Sequence, residues 1–204
     1  VPIAQITMQV QDLGPAELEI GSQQIELQNE SGKQIPATIT NDGNEWVFFT
    51  LNQPLVTDGS DDGNYTVVIN LVDKVGNKKQ VLHQIIYDTL APTLVSTSPA
   101  DNSEIQDTIT SVVASVQDTG DSKIDFVRTT LTLLHQNGNP INGEFSHDGQ
   151  SKLALKIDGL KESGTYTVRI ELTDRAGNSM TSENHFLYLM HLPSVISTKP
   201  KTSP

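Results

Sequence analysis

Carboxylates are the side chains of this sequence best suited to chemistry, because several lie in short segments rich in Gly, Ser and Asn. The densest segment is Asp58-Gly59-Ser60-Asp61-Asp62-Gly63. Clusters of carboxylate oxygens suit Ca²⁺, which takes about six to eight oxygen ligands. Asp is also common in turns, where it bonds the following backbone, so solvated turns are the alternative interpretation. The candidate metal ligands are Asp58, Asp61, Asp62, Asp88, Asp118, Asp121 and Asp174.

The last of these acids follows a segment with a clear strand pattern. Residues 164–173 alternate between apolar and polar side chains, with Tyr166 and Val168 among the apolar ones. This is the period of a strand that buries one face. The segment that follows, residues 174–178, reads Asp-Arg-Ala-Gly-Asn and has the composition of a turn. The same stretch, strand and turn together, occurs earlier at residues 63–77.

The two stretches belong to a repeat of about 100 residues, the length of one β-sandwich domain. Short strand patterns alternate with turn sequences, and no window has a sustained helical period. We therefore predict an all-β chain of two tandem sandwiches, each built on a pattern of about seven strands. The predicted domains are residues 1–91 and 92–192, and residues 193–204 begin a third copy or a linker. The predicted strands of the second copy lie near residues 93–97, 110–117, 124–134, 140–146, 152–157, 164–173 and 183–190.

The first copy lacks the residues that form the first strand of the second copy. That strand follows Pro92 in the second copy, and its sequence at residues 92–99 appears again at residues 193–200. If residue 1 is a natural end, the first sandwich is without its first strand and exposes a sheet edge. Residues 194–198 of another molecule could fill the gap by strand addition, and head-to-tail assembly would follow.

Composition narrows the classes of partner. The chain has 13 Lys and Arg against 25 Asp and Glu, a net charge of −12. This balance argues against nucleic acid and anionic membrane surfaces as partners. The absence of Cys excludes disulfides and thiolate chemistry. No apolar run approaches the length of about 18 residues that a membrane-spanning helix needs, so we expect no membrane insertion in this segment.

Several motifs resemble the bacterial immunoglobulin-like (Ig-like), fibronectin-III-like domains of secreted and surface proteins. They are the linker Tyr87-Asp88-Thr89-Leu90-Ala91-Pro92, the turn Ser98-Pro99-Ala100-Asp101-Asn102, and the strand from Gly164 with its Asp174-Arg175-Ala176-Gly177-Asn178 ending. The resemblance covers essentially the whole chain and implies two Ig-like sandwiches, the first without its first strand. It also implies that Tyr65 and Tyr166 form tyrosine corners, in which the hydroxyl bonds upstream backbone.

In a tandem Ig-like arrangement, the linker and one loop of the first domain meet two loops of the second. The candidate acids fall on these segments, so the sequence predicts a calcium site at the interdomain junction. A bound ion would relieve the repulsion between carboxylates and stiffen the joint. Solvated turns remain the alternative.

Two aromatic residues form a second candidate site. Val47 and Phe49 align with the core positions of the second copy, so Trp46 and Phe48 belong to the solvent face of the same strand. Such a pair could stack on a sugar ring or bind a protein. The alternative is that these aromatics cover a neighbouring strand or the other domain.

Catalytic patterns are weak. Asp118-Thr119-Gly120 spells the aspartic protease triplet, but that chemistry needs two such loops facing each other. The first copy has Asp12-Leu13-Gly14 in a different domain. The histidines show neither zinc-protease spacing nor a Ser-His-Asp arrangement. We therefore predict that the chain is not an enzyme and has no cofactor beyond the candidate Ca²⁺.

The resulting hypothesis is a structural or adhesive segment of a longer bacterial extracellular or cell-surface protein, acting as a spacer or stalk. Its partners would be neighbouring Ig-like repeats of the same chain and a protein or glycan ligand. The alternative is a carbohydrate- or protein-binding accessory module of an extracellular enzyme, with Trp46 and Phe48 in contact with the ligand.

Overall fold

The computed structural model describes residues 2–12, 14–19 and 21–190, and all of its regular structure is β-strand. The strands of the first copy are β1 (Gln5–Gln9), β2 (Gln24–Asn29), β3 (Gln34–Ile35), β4 (Ala37–Asn41), β5 (Trp46–Leu51), β6 (Gly63–Val72) and β7 (Lys78–Tyr87). Those of the second are β8 (Thr93–Ser98), β9 (Ser103–Ile105), β10 (Ser111–Gln117), β11 (Thr130–His135), β12 (Pro140–Ile141), β13 (Gly143–His147), β14 (Lys152–Ile157), β15 (Gly164–Thr173) and β16 (Ser179–Tyr188). In the described part of the chain there is no helix that could cross a membrane.

The first copy forms a sandwich of two antiparallel sheets. One sheet has the strand order β1-β5-β4 and the other β3-β2-β6-β7. The alternation on β5 directs Val47, Phe49 and Leu51 inward, where they pack with Leu27 and Val67 of the facing sheet. Burial of these alternating apolar side chains is the main stabilising contribution to the fold.

The second copy repeats this plan and adds two strands. Its sheets have the orders β13-β14-β10-β8 and β12-β11-β15-β16-β9. Strand β8 is antiparallel to β10, whereas β9 runs parallel to β16. Among the described residues of the first copy, no strand corresponds to β8 or β9. The predicted fold of two Ig-like sandwiches, the first without its first strand, is confirmed.

The chain divides into two compact units whose limits are not simply sequential. The first unit comprises the described residues up to Pro92 together with Asp118–Asp125 and Thr173–Ser179. The second comprises Thr93–Gln117, Phe126–Leu172 and the described residues from Met180 onward. The loops after β10 and β15 therefore pack with the first unit. The predicted third copy at residues 193–204 lies outside the described residues.

One predicted strand is shorter than expected. The alternation near residues 124–134 yields a strand only at Thr130–His135. Residues 126–128 form a turn, and Ile124 makes an isolated bridge with Asp174. The turn therefore interrupts the predicted strand between this bridge and Thr130.

Both sandwiches contain a tyrosine hydroxyl that bonds the backbone four residues upstream. Tyr65 donates to the Asp61 carbonyl oxygen at 2.6 Å, and Tyr166 donates to that of Glu162 at 2.9 Å. Both rings are buried, and this burial raises the pKa of each phenol. Each bond fixes the loop before the central strand β6 or β15.

We expect Tyr65→Phe to lower the free energy of unfolding by about 0.5–1.5 kcal/mol, because the Asp61 carbonyl loses its donor while the ring packing is kept. Trp46, the single tryptophan, lies in the same sandwich, so its fluorescence during urea unfolding reports this change. An unchanged unfolding midpoint would contradict a stabilising role for the hydroxyl.

Candidate functional site

Three of the seven candidate acids converge, and each is the first residue after a strand. Asp88 follows β7, Asp118 follows β10 and Asp174 follows β15. All three belong to the first compact unit. One carboxylate oxygen from each residue lies within 4.8 Å of the others.

The loop after β15 holds Asp174 in one orientation. Its Oδ1 accepts hydrogen bonds from the backbone N–H of Gly177 at 2.7 Å and of Asn178 at 2.8 Å. The amide of Asn178 donates to Asp174 Oδ2 at 2.7 Å and to the Asp88 carbonyl oxygen at 3.0 Å. The turn sequence Asp-Arg-Ala-Gly-Asn therefore links this loop to the segment after β7.

Asp88 is held against the loop that follows β10. Its Oδ1 accepts from the Leu90 N–H and its Oδ2 from the Ser122 N–H, both at 3.1 Å. Gly120 approaches so closely that an added Cβ would lie 2.1 Å from Asp88 Oδ2. Only glycine fits here without displacing the carboxylate.

Asp118 carries the least satisfied carboxylate of the three. Its Oδ1 accepts from the Gly120 N–H at 3.0 Å, whereas its Oδ2 is buried without a hydrogen-bond partner in the described structure. Burial raises the pKa of this carboxyl, and the negative charges of Asp88 and Asp174 raise it further. The adjacent Ser122 hydroxyl is also buried and likewise has no partner there.

The arrangement provides oxygen ligands for one cation. Asp88 and Asp174 are only 6% and 0% exposed, so their charges are poorly screened by water. Oxygens that bind Ca²⁺ lie about 2.3–2.6 Å from the ion, and a pair of them is therefore at most about 5 Å apart. The separation of up to 4.8 Å satisfies this limit. A cation would also satisfy the free oxygen of Asp118.

The other four candidate acids have different partners. Asp58 accepts from the Ser60 N–H and hydroxyl, and Asp61 accepts from the Val56 N–H. Asp62 accepts from the Thr89 N–H and hydroxyl, and Asp121 accepts from the Asn64 amide. The bonds of Asp58, Asp61 and Asp62 fix the acidic segment at residues 58–63 and the linker, and none of the four acids belongs to the group of three converging carboxylates.

Sequence analysis did not identify Gly120 and Asn178 as parts of this site. The available signal was that the same turn residues occur in both copies. In the first copy, Asp73 accepts from Asn77 as Asp174 does from Asn178, and Gly14 donates to Asp12 as Gly120 does to Asp118. The first copy contains no described counterpart of Asp88, and Asp12 and Asp73 do not belong to a three-carboxylate group there.

Trp46 and Phe48 lie on the outward face of β5, but they differ in surroundings. Trp46 is 42% exposed and lines an open cleft of about 860 Å³ in the first unit. Phe48 is half-buried and does not line this cleft. The polar residues of the cleft are Gln11, Asp12, Glu17, Glu19, Asp42, Asn44, Glu45 and Lys74. An aromatic face beside hydrogen-bonding groups suits a small polar ligand.

The family comparison covers the second sandwich and its linker. Residues 88–188 match the family described as bacterial Ig-like domain. This segment is therefore a bacterial Ig-like domain. The match begins at Asp88, so the three converging acids all lie within it. Domains of this family occur in bacterial surface proteins and are typically non-catalytic.

The remaining comparisons give only distant similarity. No curated protein sequence matches the chain. CopC from Methylosinus trichosporium OB3b is 16% identical with a TM-score of 0.42, and the match covers 51% of this chain and 99% of CopC. The methionine-rich copper resistance protein PcoC from Escherichia coli is 12% identical with a TM-score of 0.42, over 49% and 100%. The amphioxus IgVJ-C2 molecule is 12% identical with a TM-score of 0.35, over 90% and 96%. Scores this low carry no inference about ligands.

We expect Gly120→Ala to lower the free energy of unfolding by about 1–3 kcal/mol, because the new methyl group overlaps the Asp88 carboxylate. Gly14→Ala is the matched control, since its Cβ would meet only the Asp12 side chain at 3.2 Å. Chemical denaturation measures both changes. Equal effects of the two substitutions would show that the Asp88 contact is unimportant.

Proposed function

We propose that the chain is a non-catalytic spacer or stalk segment of a bacterial extracellular or cell-surface protein. In this proposal, one Ca²⁺ bound by Asp88, Asp118 and Asp174 stiffens the segment. The tandem sandwich architecture and the bacterial Ig-like domain at residues 88–188 support the structural role. The observation that carries the calcium proposal is the convergence of three carboxylates within 4.8 Å.

The position of the acids explains how an ion would act. Asp88 lies on the segment between β7 and β8, and the other two acids start the loops after β10 and β15. A shared ion would join these three segments directly, in addition to the Asn178 hydrogen bonds that already connect two of them. Separating the segments would then require loss of metal ligands, so calcium would hold these three segments of the first unit together.

The chemistry of the site favours calcium over magnesium. Mg²⁺ requires a near-octahedral shell at about 2.0–2.1 Å and keeps several of its waters. The carboxylates here are fixed by backbone N–H groups, and two of them are almost fully buried. A larger ion with flexible coordination fits such a preset group of oxygens better.

The experiment is thermal unfolding of the metal-free chain with added Ca²⁺ or Mg²⁺ at fixed ionic strength. A ligand that binds only the folded state stabilises it by about 2.7 kcal/mol at a concentration 100-fold above its Kd. We expect a calcium-specific rise in Tm. Asp118→Asn should lose most of this rise, whereas Asp12→Asn, in the corresponding loop of the first copy, should keep it.

Two outcomes would contradict the calcium proposal. The first is an unchanged Tm on calcium addition. The second is a rise that Asp118→Asn and Asp12→Asn retain equally, which would mean that calcium binds elsewhere. An equal response to magnesium would contradict only the preference for calcium, since it would indicate a site that binds either divalent cation.

The raised pKa of Asp118 gives a separate prediction for the metal-free chain. The folded state holds this proton more tightly than the unfolded state, so ionising Asp118 costs stability as pH rises above its unfolded pKa. We expect Asp118→Asn to raise Tm at pH 7, and this advantage to shrink as pH falls through the raised folded-state pKa of Asp118 toward the pKa of the unfolded chain. A constant difference between variant and parent across this range would contradict the repulsion described for the site.

A second candidate function is glycan binding at the Trp46 cleft. The specific observation in its favour is an aromatic side chain that is 42% exposed beside several carboxylates and amides. Stacking of a sugar ring on the indole and hydrogen bonds to its hydroxyls would be the recognition mode. This would agree with an accessory module of an extracellular enzyme.

Titration of soluble glycans against the parent, Trp46→Ala and Phe48→Ala tests this candidate. We expect Trp46→Ala to weaken binding about tenfold, the value of one lost aromatic contact, and Phe48→Ala to have a smaller effect because Phe48 is outside the cleft. Negligible binding by the parent to every glycan tested would eliminate the candidate.

A further inference from the structure

The outer face of the β1-β5-β4 sheet is built from neutral side chains. On β5 the outward positions alternate with the core residues Val47 and Phe49, and the strand register extends the same face to β1 and β4. The side chains of this outer face are Gln5, Thr7 and Gln9 on β1, Trp46, Phe48 and Thr50 on β5, and Thr38 and Thr40 on β4. None of them carries a charge, although the chain has 25 acidic and 13 basic residues.

The second sandwich shows that the fold does not require this composition. Its strands β10, β14 and β13 correspond by the sequence repeat to β1, β5 and β4. At three corresponding positions it carries charges: Lys152, Lys156 and Glu144 align with Trp46, Thr50 and Thr38. Phe48 aligns with Ala154. The aromatic, uncharged outer face is therefore a property of the first sandwich alone.

The two aromatic side chains form a short ridge along the central strand. Trp46 and Phe48 are two residues apart on β5, so their Cα atoms are roughly 6.4–6.8 Å apart along the strand. Trp46 is 42% exposed and Phe48 is half-buried. A ligand that contacts both rings must therefore extend along β5.

Hydrogen-bonding side chains border the ridge on both sides. Thr7 of β1 and Thr40 of β4 lie opposite Phe48, and Gln9 lies opposite Trp46. Side chains directly opposite each other on antiparallel strands have Cβ atoms about 4.5–5.5 Å apart. A ring stacked on the ridge would thus have hydroxyl and amide groups beside its edges.

The glutamine amides of this face are held in place by neighbouring side chains. Gln5 donates from its amide to the Thr50 hydroxyl at 2.9 Å, and Gln9 donates to the Glu45 carboxylate at 2.8 Å. Each bond uses one of the two N–H donors of the amide, and both glutamines are exposed. The amides can therefore bond a ligand without first being ordered.

We propose that the outer face of the β1-β5-β4 sheet binds a neutral polysaccharide whose chain runs along β5. Sugar rings with equatorial hydroxyls have apolar C–H faces, which stack on Trp46 and Phe48. Their hydroxyls both donate and accept, as do the threonine hydroxyls and glutamine amides beside the ridge. This inference rests on the second candidate function, sugar stacking on Trp46, and extends it from the cleft to a long chain on the sheet.

Charge favours a neutral polymer over an anionic one. Asp42 and Glu45 border the Trp46 end of the face, and the net charge of the chain is −12. A polyanion would be repelled as it approached.

The side-chain types favour a polysaccharide over a protein. Protein interfaces gain most of their affinity from anchors in desolvated pockets, and threonine is under-represented among these anchors. Here exposed threonines surround an open ridge.

The first test is binding of the 204-residue chain to suspended cellulose, chitin, β-1,3-glucan and mannan, measured by depletion of protein from solution. We expect binding to at least one of these neutral polymers and weaker binding to polygalacturonate, which is anionic. Phe48→Ala should weaken binding to the neutral polymer about three- to tenfold, because one stacking contact is lost. Circular dichroism checks that this variant is folded.

The second test removes a single hydroxyl without changing the shape of the face. Thr40→Val should weaken polymer binding about two- to tenfold, because one hydrogen bond to the sugar is lost. Thr66→Val, on the outward face of β6 in the other sheet, is the matched control and should leave binding unchanged. A protein or other apolar occupant would bind Thr40→Val equally or more tightly, so either of these results would overturn the proposal.

The outcomes separate this proposal from the functions proposed above. Polymer binding that Trp46→Ala weakens, but Phe48→Ala and Thr40→Val leave unchanged, would confine the glycan to the cleft and overturn the extended site. Binding to none of the neutral polymers, or tighter binding to polygalacturonate, would also overturn it. The calcium-dependent rise in Tm is measured separately, and Thr40→Val should retain it because Thr40 is not one of the three converging acids.

Discussion

Repulsion between carboxylates at the ends of three strands is the constraint on which this account depends. Asp88, Asp118 and Asp174 lie within 4.8 Å of one another, and two of them are almost completely buried. Backbone N–H groups and the Asn178 amide offset part of the cost, but one oxygen of Asp118 has no partner in the described structure. A proton or a bound cation would supply the remaining compensation. The raised pKa of Asp118 corresponds to compensation by a proton, and the calcium proposal corresponds to compensation by a cation.

The fold could be predicted because a strand that buries one face shows its period directly in the sequence. The alternation at residues 164–173 and its copy at residues 63–72 became β15 and β6, with the expected faces inward. Alignment with the core positions of the second copy placed Trp46 on the outward face of β5. Periodicity failed at residues 124–129, where a turn at residues 126–128 interrupts the strand. Apolar alternation does not reveal such backbone conformations.

The composition of the site could be predicted only in part, because residue spacing does not show which acids the fold brings together. The segment from Asp58 to Asp62 is the densest in acids, yet its carboxylates bond nearby N–H and hydroxyl groups instead of converging. The three acids that converge are distant in sequence and share only their position after a strand. Their approach depends on local packing, such as the contact of Gly120 with Asp88, which residue spacing alone does not encode. The uncharged outer face of β5, by contrast, follows directly from comparing the two copies, since Trp46 aligns with Lys152 and Thr50 with Lys156.

The most direct measurement is anomalous X-ray diffraction from crystals of the chain grown with Tb³⁺ in place of Ca²⁺. Both ions are hard cations that prefer oxygen ligands. The account predicts one strong anomalous peak at about 2.3–2.6 Å from carboxylate oxygens of Asp88, Asp118 and Asp174. A peak confined to exposed acids such as Asp58 or Asp121, or the absence of a peak among the three acids, would contradict it.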